Sequence, residues 1–254
     1  MGVEPRRFIG GNVYLRGVHE LSVCEALWRL CEPGETAVDA GANIGVMTSV
    51  LSRRIGPAGR IVSFEAHPQI FRQLERNVSF WGSRRIDRFE QAVSSRAGKL
   101  RIREGEIFKM NEGTACVGGD SIGDSSGEVE AIRLDDALGE SGCGVIKIDV
   151  EGHEHEALLG AGELLASGGV RDLVFESTWE YPGRAHSLLL AAGYRIFDLG
   201  ASLCGLILSE PRSRADGAER KSDYVATKEP ERAQRLMAPR GWQVLRQRGG
   251  RCES

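Results

Sequence analysis

Short apolar runs and helical patterns alternate from about residue 36 to residue 198, and this alternation constrains the fold more than any other feature. The apolar runs predict strands at residues 36–39, 60–65, 87–93, 145–149, 173–176 and 194–199. The patterns between them predict helices at residues 44–54, 68–80, 154–166 and 184–192. Strands joined through helices form right-handed crossovers, so we expect an α/β fold with a mostly parallel sheet.

The composition is that of a globular protein with no electrostatic preference for nucleic acid. The 254 residues carry 33 Lys and Arg against 36 Asp and Glu, a net charge of −3. There is no run of about 18 apolar residues that would span a membrane, and no signal peptide is recognisable. The cysteines form no C-x-x-C pair, which indicates reduced thiols in a cytoplasmic protein. We therefore expect neither nucleic acid nor a membrane as partner, and the oligomeric state stays open.

Three regions depart from the alternation and flank or interrupt an α/β domain at residues 36–228. Residues 1–35 predict a short strand near 13–16 and an amphipathic helix near 20–31. Residues 104–127 contain six glycines among Ser and Asp, which predicts a long loop, assigned here to substrate binding. Residues 229–254 carry six arginines against three glutamates, which predicts a basic, solvated tail.

A glycine-containing turn follows the first predicted strand, where open α/β sheets bind ligands. Its pattern is D-x-G-x-x-x-G, formed by Asp39, Gly41 and Gly45. The dinucleotide fingerprint needs a second glycine two residues after the first, but Asn43 occupies that position. A carboxylate disfavours a pyrophosphate and favours a cation. The turn therefore indicates S-adenosylmethionine rather than NAD, and an NAD-linked oxidoreductase is the weaker alternative.

Two further strand ends contribute to the same predicted site. Glu65 and Ala66 follow the second strand, and Glu65 lies 20 residues after Gly45. An acid at this position accepts hydrogen bonds from the ribose hydroxyls of a nucleoside. Ala92 ends the third strand, near the expected position of an adenine. The predicted cofactor-binding residues are therefore Asp39, Gly41, Asn43, Gly45, Glu65, Ala66 and Ala92.

Ionisable side chains are concentrated from Lys147 to Glu156, at the end of the fourth predicted strand. This strand end faces the same crevice as the glycine turn, so Asp149 is also predicted to bind the cofactor. A metal site would draw on Asp149, Glu151, His153 and His155. Their spacing is not H-E-x-x-H, and adjacent residues on a helix point apart, so we expect no metal.

These segments resemble the FkbM family of S-adenosylmethionine-dependent methyltransferases. The matching stretches are VDAGANIG, FEAHP, LDDAL and VIKIDVEGHEHEALLGA, at residues 38–45, 64–68, 134–138 and 145–161. The resemblance covers about residues 34–228 and implies a Rossmann-like class I methyltransferase sheet. That sheet would have seven strands, one of them antiparallel, with the last at 222–228. It also implies O-methyl transfer to a hydroxyl or carboxylate of a small molecule, sugar or peptide in bacterial natural-product biosynthesis.

The fourth strand end would then supply the catalytic residues. His153 is the predicted general base, because histidine titrates near neutral pH. Asp149 would contact the cofactor or the acceptor, and Lys147 would pair with Asp149 or Glu151, either in the reaction or as a structural ion pair. Glu151 and Glu154 would bind substrate. A carboxylate acceptor is already ionised and needs no base, so the acceptor class stays open, as does a protein that binds S-adenosylmethionine without catalysis.

Overall fold

The computed structural model describes residues 1–82, 84–104, 115–117, 125–177, 181–211 and 222–246. The helices are α1 (Phe8–Arg16), α2 (Leu21–Leu30), α3 (Val46–Ile55), α4 (Pro68–Ser79), α5 (Leu134–Leu138), α6 (Glu154–Leu159), α7 (Gly162–Ser167), α8 (Arg184–Ala191) and α9 (Pro230–Met237). The strands are β1 (Thr36–Ala40), β2 (Arg60–Phe64), β3 (Ile86–Phe89), β4 (Ala92–Val93), β5 (Gly98–Glu104), β6 (Ala115–Val117), β7 (Ser125–Ile132), β8 (Cys143–Ile148), β9 (Val170–Ser177), β10 (Arg195–Ser202), β11 (Gly205–Ser209) and β12 (Ser222–Thr227).

Eight strands form the central sheet, in the order β11-β10-β12-β9-β8-β1-β2-β3. The five adjacent strands β9, β8, β1, β2 and β3 pair in parallel, whereas β12 is antiparallel to both of its neighbours. The sequence predicted seven strands with one of them reversed, whereas the sheet formed by the described residues has eight strands. The eighth strand, β11, returns antiparallel to β10 after a two-residue turn between Ser202 and Gly205.

A second sheet contains four strands in the order β4-β7-β5-β6. The predicted strand at 87–93 is therefore two strands, because β3 pairs with β2 and β4 pairs with β7. The predicted loop at 104–127 is also wrong in part, since β6 and the ends of β5 and β7 fall within it. Glycine and serine weaken the alternation that identifies strands. Residues 105–114 and 118–124 of that loop lie outside the described residues.

Helix α1 occupies the place of the strand that was predicted near residues 13–16. It ends at Gly17, which has a φ of 75° and donates its backbone N–H to the Val13 carbonyl. Arg16 in the last turn and a glycine just beyond it are a helix C-terminal signal. Gly10 within the helix packs so closely that a side chain there would collide with the backbone of Glu4. Helix α2 follows where a helix was predicted.

The predicted solvated tail is folded as far as residue 246. Helix α9 packs against α2. A buried ion pair within α2 binds the end of α9 and the residues that follow α9. Arg29 donates to the carbonyls of Leu236, Met237, Pro239 and Gly241 at 2.7–3.1 Å. The Glu25 carboxylate accepts the backbone N–H groups of Gln243 and Val244, each at 2.8 Å. Residues 247–254 lie outside the described part of the chain.

Apolar side chains cover both faces of the central sheet and form three layers. Alternate residues such as Val38 and Ile146 face the layer of α5 to α8, whereas Ala37 and Val145 face the layer of α1 to α4 and α9. The predicted helix at 154–166 is divided into α6 and α7 at Gly160 and Ala161, and a side chain at Gly160 would collide with the Ser94 carbonyl. None of the helices in the described ranges has the length and apolar character to cross a membrane.

Candidate active site

A cleft of about 370 Å³ opens at the carboxyl ends of β1, β2 and β8. Sites for small molecules commonly enclose about 300–1,000 Å³, and this is the edge of an α/β sheet at which ligands bind. Eight of the predicted site residues line the cleft, namely Gly41, Asn43, Glu65, Ala66, Ala92, Lys147, Asp149 and Glu151. The other four do not, namely Asp39, Gly45, His153 and Glu154.

The glycine turn brings the end of β1 close to the end of β8. Gly41 has a φ of 80°, and a side chain there would collide with the Asp149 carbonyl oxygen. Only glycine combines this conformation with such a close approach. Gly45 has a φ of 95° and faces Leu74 and Trp81, so it packs the turn against α4 rather than lining the cleft.

Glu65 ties the glycine turn to the end of β2. Its Oε2 accepts the Asn43 N–H at 2.9 Å and its Oε1 accepts the His67 N–H at 2.8 Å. Burial raises the pKa of Glu65 to about 7, although these two hydrogen bonds oppose the rise. Each carboxylate oxygen has a second lone pair, and the side chain lines the cleft. Glu65 can therefore accept two further hydrogen bonds from a ligand.

A buried lysine contributes to the lining of the cleft. Lys147 Nζ is 3.2 Å from Asp149 Oδ2, 3.8 Å from Asp39 Oδ1 and 3.0 Å from the Gly41 carbonyl oxygen. Burial alone lowers the pKa of Lys147, but the carboxylates of Asp149 and Asp39 outweigh it and raise that pKa. Asp39 is fully buried and accepts the Thr48 hydroxyl at 2.5 Å. Asp39 thus positions Lys147 and does not reach the cleft.

His153 does not reach the cleft in which it was predicted to act as a base. After β8 the chain turns through Glu151 and Gly152, with φ values of 51° and 92°, and this turn carries His153 away. Its Nε2 lies 3.0 Å from Ser94 Oγ, and burial lowers its pKa. Glu154 accepts the N–H of Gly152 at 2.9 Å and stabilises this turn, and it does not line the cleft in which it was predicted to bind substrate.

Fourteen of the described residues that line the cleft were not predicted from the sequence, and five of them enter it from the N-terminal extension and from the end of β9. Phe8 and Ile9 of α1, and His19 and Glu20 before α2, enter the cleft from the N-terminal extension, and Glu176 enters from the end of β9. Because Glu176 lies near the end of a predicted strand, its position in the cleft could have been predicted from the sequence. Nothing in residues 1–35 indicates by itself that they fold over the glycine turn.

A family model described as the methyltransferase FkbM domain matches residues 39–196. Among solved structures, the chain is similar to the precorrin-6y C5,15-methyltransferase of Geobacter metallireducens, at 13% identity over 81% of this chain and 88% of that chain, with a TM-score of 0.47. It is also similar to the fibrillarin of Aeropyrum pernix, at 16% identity over 85% of this chain and 73% of that chain, with a TM-score of 0.42. A search of curated protein sequences finds no match.

Proposed function

Since this chain belongs to the FkbM family of methyltransferases, we propose that it methylates a hydroxyl oxygen with S-adenosylmethionine as the methyl donor. The cofactor supplies an electrophilic methyl group on a sulfonium, so the protein has only to bind it, to align the acceptor oxygen and to receive a proton. The observation that carries the proposal is the charge of the cleft, which is lined by many carboxylates and few cations.

The residues of the cleft fit the cofactor. Glu65 has acceptor capacity for the ribose hydroxyls, and Asp149 presents a carboxylate to a ligand that carries a sulfonium and an ammonium group. Apolar side chains beside them, from Phe64, Val93 and Ile102, suit an adenine ring. Gly41, Asn43, Ala66 and Ala92 would complete the cofactor site, while Asp39 and Gly45 build the turn behind it. A pyrophosphate would meet these same carboxylates unfavourably.

The charges favour a hydroxyl acceptor over a carboxylate acceptor. Five carboxyl side chains line the cleft, from Glu20, Glu65, Asp149, Glu151 and Glu176. Among the described lining residues, the cationic or titratable bases are Lys147 and His19, and Lys147 is already paired with Asp149. An anionic acceptor would therefore be repelled. A neutral hydroxyl can hydrogen-bond to Glu151 or Glu176.

The acceptor class that we propose is a sugar, small molecule or peptide bearing a hydroxyl, modified during natural-product biosynthesis. The carboxylates can bind a polyhydroxylated acceptor, since each of them accepts hydrogen bonds from hydroxyl groups. We place the reaction in the cytoplasm, because Cys24, Cys31, Cys143 and Cys204, the cysteines whose side chains are described, are free thiols.

Methyl-labelled S-adenosylmethionine tests the proposal with two sets of probes. Methyl glucoside, methyl rhamnoside and a macrolactone alcohol offer hydroxyls, whereas hippurate and N-acetylglycine offer carboxylates. We expect label in the hydroxyl probes and retention of that label in mild alkali, because ethers resist hydrolysis. Label that is released by alkali as methanol would instead identify an ester and a carboxylate acceptor. Cofactor binding without transfer to either set would favour a non-catalytic protein.

A further inference from the structure

Two residues that precede the matched family domain lie in the wall of the cleft. His19 and Glu20 come before residue 39, where the family match begins. Among the described residues, three that are not glycine have a positive φ: Glu20 at 51°, Asn43 at 50° and Glu151 at 51°. All three line this cleft. Such conformations are costly and concentrate at functional sites, so the position of Glu20 requires a reason.

Contacts on several sides hold the His19 ring. His19 Nε2 is 3.4 Å from Glu20 Oε1, and the Phe8 ring lies edge-on with its centroid 5.8 Å from that of His19. The His19 backbone carbonyl accepts the Cys24 thiol at 3.2 Å. Within the described ranges, no side chain or backbone group hydrogen-bonds to His19 Nδ1. A neutral imidazole with its proton on Nε2, the nitrogen that lies 3.4 Å from Glu20 Oε1, presents a lone pair on Nδ1.

Building on the proposed transfer to a hydroxyl, we propose that His19 is the general base and that Glu20 orients it. The acceptor oxygen forms a bond to the methyl carbon as the carbon–sulfur bond breaks, and that bond's electron pair passes to sulfur. The acceptor O–H proton moves to His19 Nδ1. The products are the methyl ether, uncharged S-adenosylhomocysteine and an imidazolium whose charge Glu20 balances. Glu20 acts through His19 and is therefore a positioning residue.

The location of the pair agrees with this role. Glu20 lines the same cleft as Asp149, which follows β8, and Glu176 near the end of β9. Burial and then the charges of Glu20 and Glu176 raise the pKa of Asp223 to about 7. Asp223 and Glu176 are register partners on adjacent strands. An acceptor bound in this cleft can contact both Glu20 and Glu176. The titratable groups that line the cleft with His19 are Glu20, Glu65, Lys147, Asp149, Glu151 and Glu176, while Cys24 contacts the His19 carbonyl and Asp223 pairs with Glu176 in the sheet.

The test compares His19→Gln with the wild type, using the sugar probe that the wild type methylates fastest. We expect kcat to fall by about 10²–10⁴-fold, with little change in the Kd of S-adenosylmethionine measured by calorimetry. The rising limb of the wild-type pH–rate profile should be lost in the variant. Free imidazole should restore part of the rate of His19→Ala. Glu20→Gln should lower kcat, and Glu20→Asp should recover much of the loss.

A second histidine–glutamate pair provides the matched control. His155 Nδ1 lies 3.2 Å from Glu156 Oε1, and neither residue lines the cleft. His155→Gln should keep the wild-type rate. An unchanged kcat in His19→Gln overturns the assignment of the base but leaves hydroxyl methylation intact. A loss confined to cofactor affinity also overturns it and makes the pair part of the cofactor site. A wild type that methylates none of the hydroxyl probes contradicts the proposed function itself.

Discussion

Glu65 is the residue from which we expect the most direct effect on cofactor binding. Its carboxylate accepts two backbone N–H groups and retains lone pairs that face the cleft. Glu65→Gln removes the charge and one acceptor oxygen. Hydrogen bonds to charged groups contribute about 1.5–3 kcal/mol, so the Kd of S-adenosylmethionine should rise by roughly 10- to 150-fold. Calorimetric titration at about pH 8, above the raised pKa of Glu65, measures the effect.

Asp87→Asn is the control for Glu65→Gln. Asp87 is an acid of the neighbouring strand β3 and pairs with Arg60 at 2.6 Å, outside the cleft. Its substitution should leave the Kd of S-adenosylmethionine unchanged. Equal affinities in Glu65→Gln and the wild type would contradict the cofactor site proposed at this strand end.

Asp223 is expected to link stability to pH. Burial, together with Glu20, Glu176 and Asp149, raises its pKa to about 7. The folded state therefore holds a proton that the unfolded chain has already released, and stability falls as pH rises from about 5 to about 8. Urea unfolding without cofactor should show this decline. Its slope should be smaller in Asp223→Asn, while other buried carboxyls such as Glu65 keep part of it.

The pKa of Glu32 is shifted in the opposite direction to that of Asp223. Its hydrogen bond to Arg232 lowers the pKa of Glu32, so its contribution to stability is lost only at acidic pH, below this range. Glu32→Gln should therefore keep the wild-type slope. An Asp223→Asn variant with the full wild-type slope would show that this carboxyl does not carry the raised pKa.

At the scale of elements, the ion pair of α2 is expected to hold the C-terminal segment in place. Glu25 and Arg29 are buried and bind the chain from residue 236 to residue 244. Removing one partner of a buried pair typically costs about 3–5 kcal/mol. Arg29→Met should lower the free energy of unfolding by about that amount. It should also speed hydrogen exchange in α9 and the residues after it.

An exposed pair gives the comparison for Arg29→Met. Arg195 and Glu210 lie 2.6 Å apart, and more than half of each side chain is exposed. Exposed pairs contribute little to stability, so Arg195→Met should change the unfolding free energy only slightly. If Arg29→Met were equally mild and exchange in α9 stayed slow, the apolar contacts of α9 would suffice to hold the segment.

At the scale of the whole molecule, the N-terminal helices and α9 pack on the same face of the central sheet, and α1 and the residues before α2 also line the cleft. The proposed reaction draws its activation from the sulfonium, so it requires no divalent ion. Within the described residues, no three His, Cys, Asp or Glu side chains are grouped so as to hold one. Methyl transfer should therefore survive dialysis against EDTA. Loss of turnover that magnesium restores would show instead that the acidic cleft binds a metal.

Local patterns were sufficient for much of this fold and part of the site. The strand and helix periods lie within a few residues of sequence, so β1, β2, β8, α3 and α4 were predicted nearly to their bounds. The glycine motif and the acid that follows β2 are also local in sequence, and chain order in a parallel sheet brings them to one edge. For this reason Gly41, Asn43, Glu65, Ala66, Lys147, Asp149 and Glu151 could be named in advance, whereas their neighbours Ala42, Phe64 and Val150 were not.

Long-range packing decided the rest. The direction of His153 depends on a turn that a buried carboxylate, that of Glu154, stabilises. The four-stranded second sheet depends on pairing between β4 and β7, which are far apart in the chain. The place of His19 depends on how α1 and α2 pack over strand ends that come much later in the sequence. Burial and contact between distant residues have no local period, so only the tertiary structure determines which side chains complete the cleft.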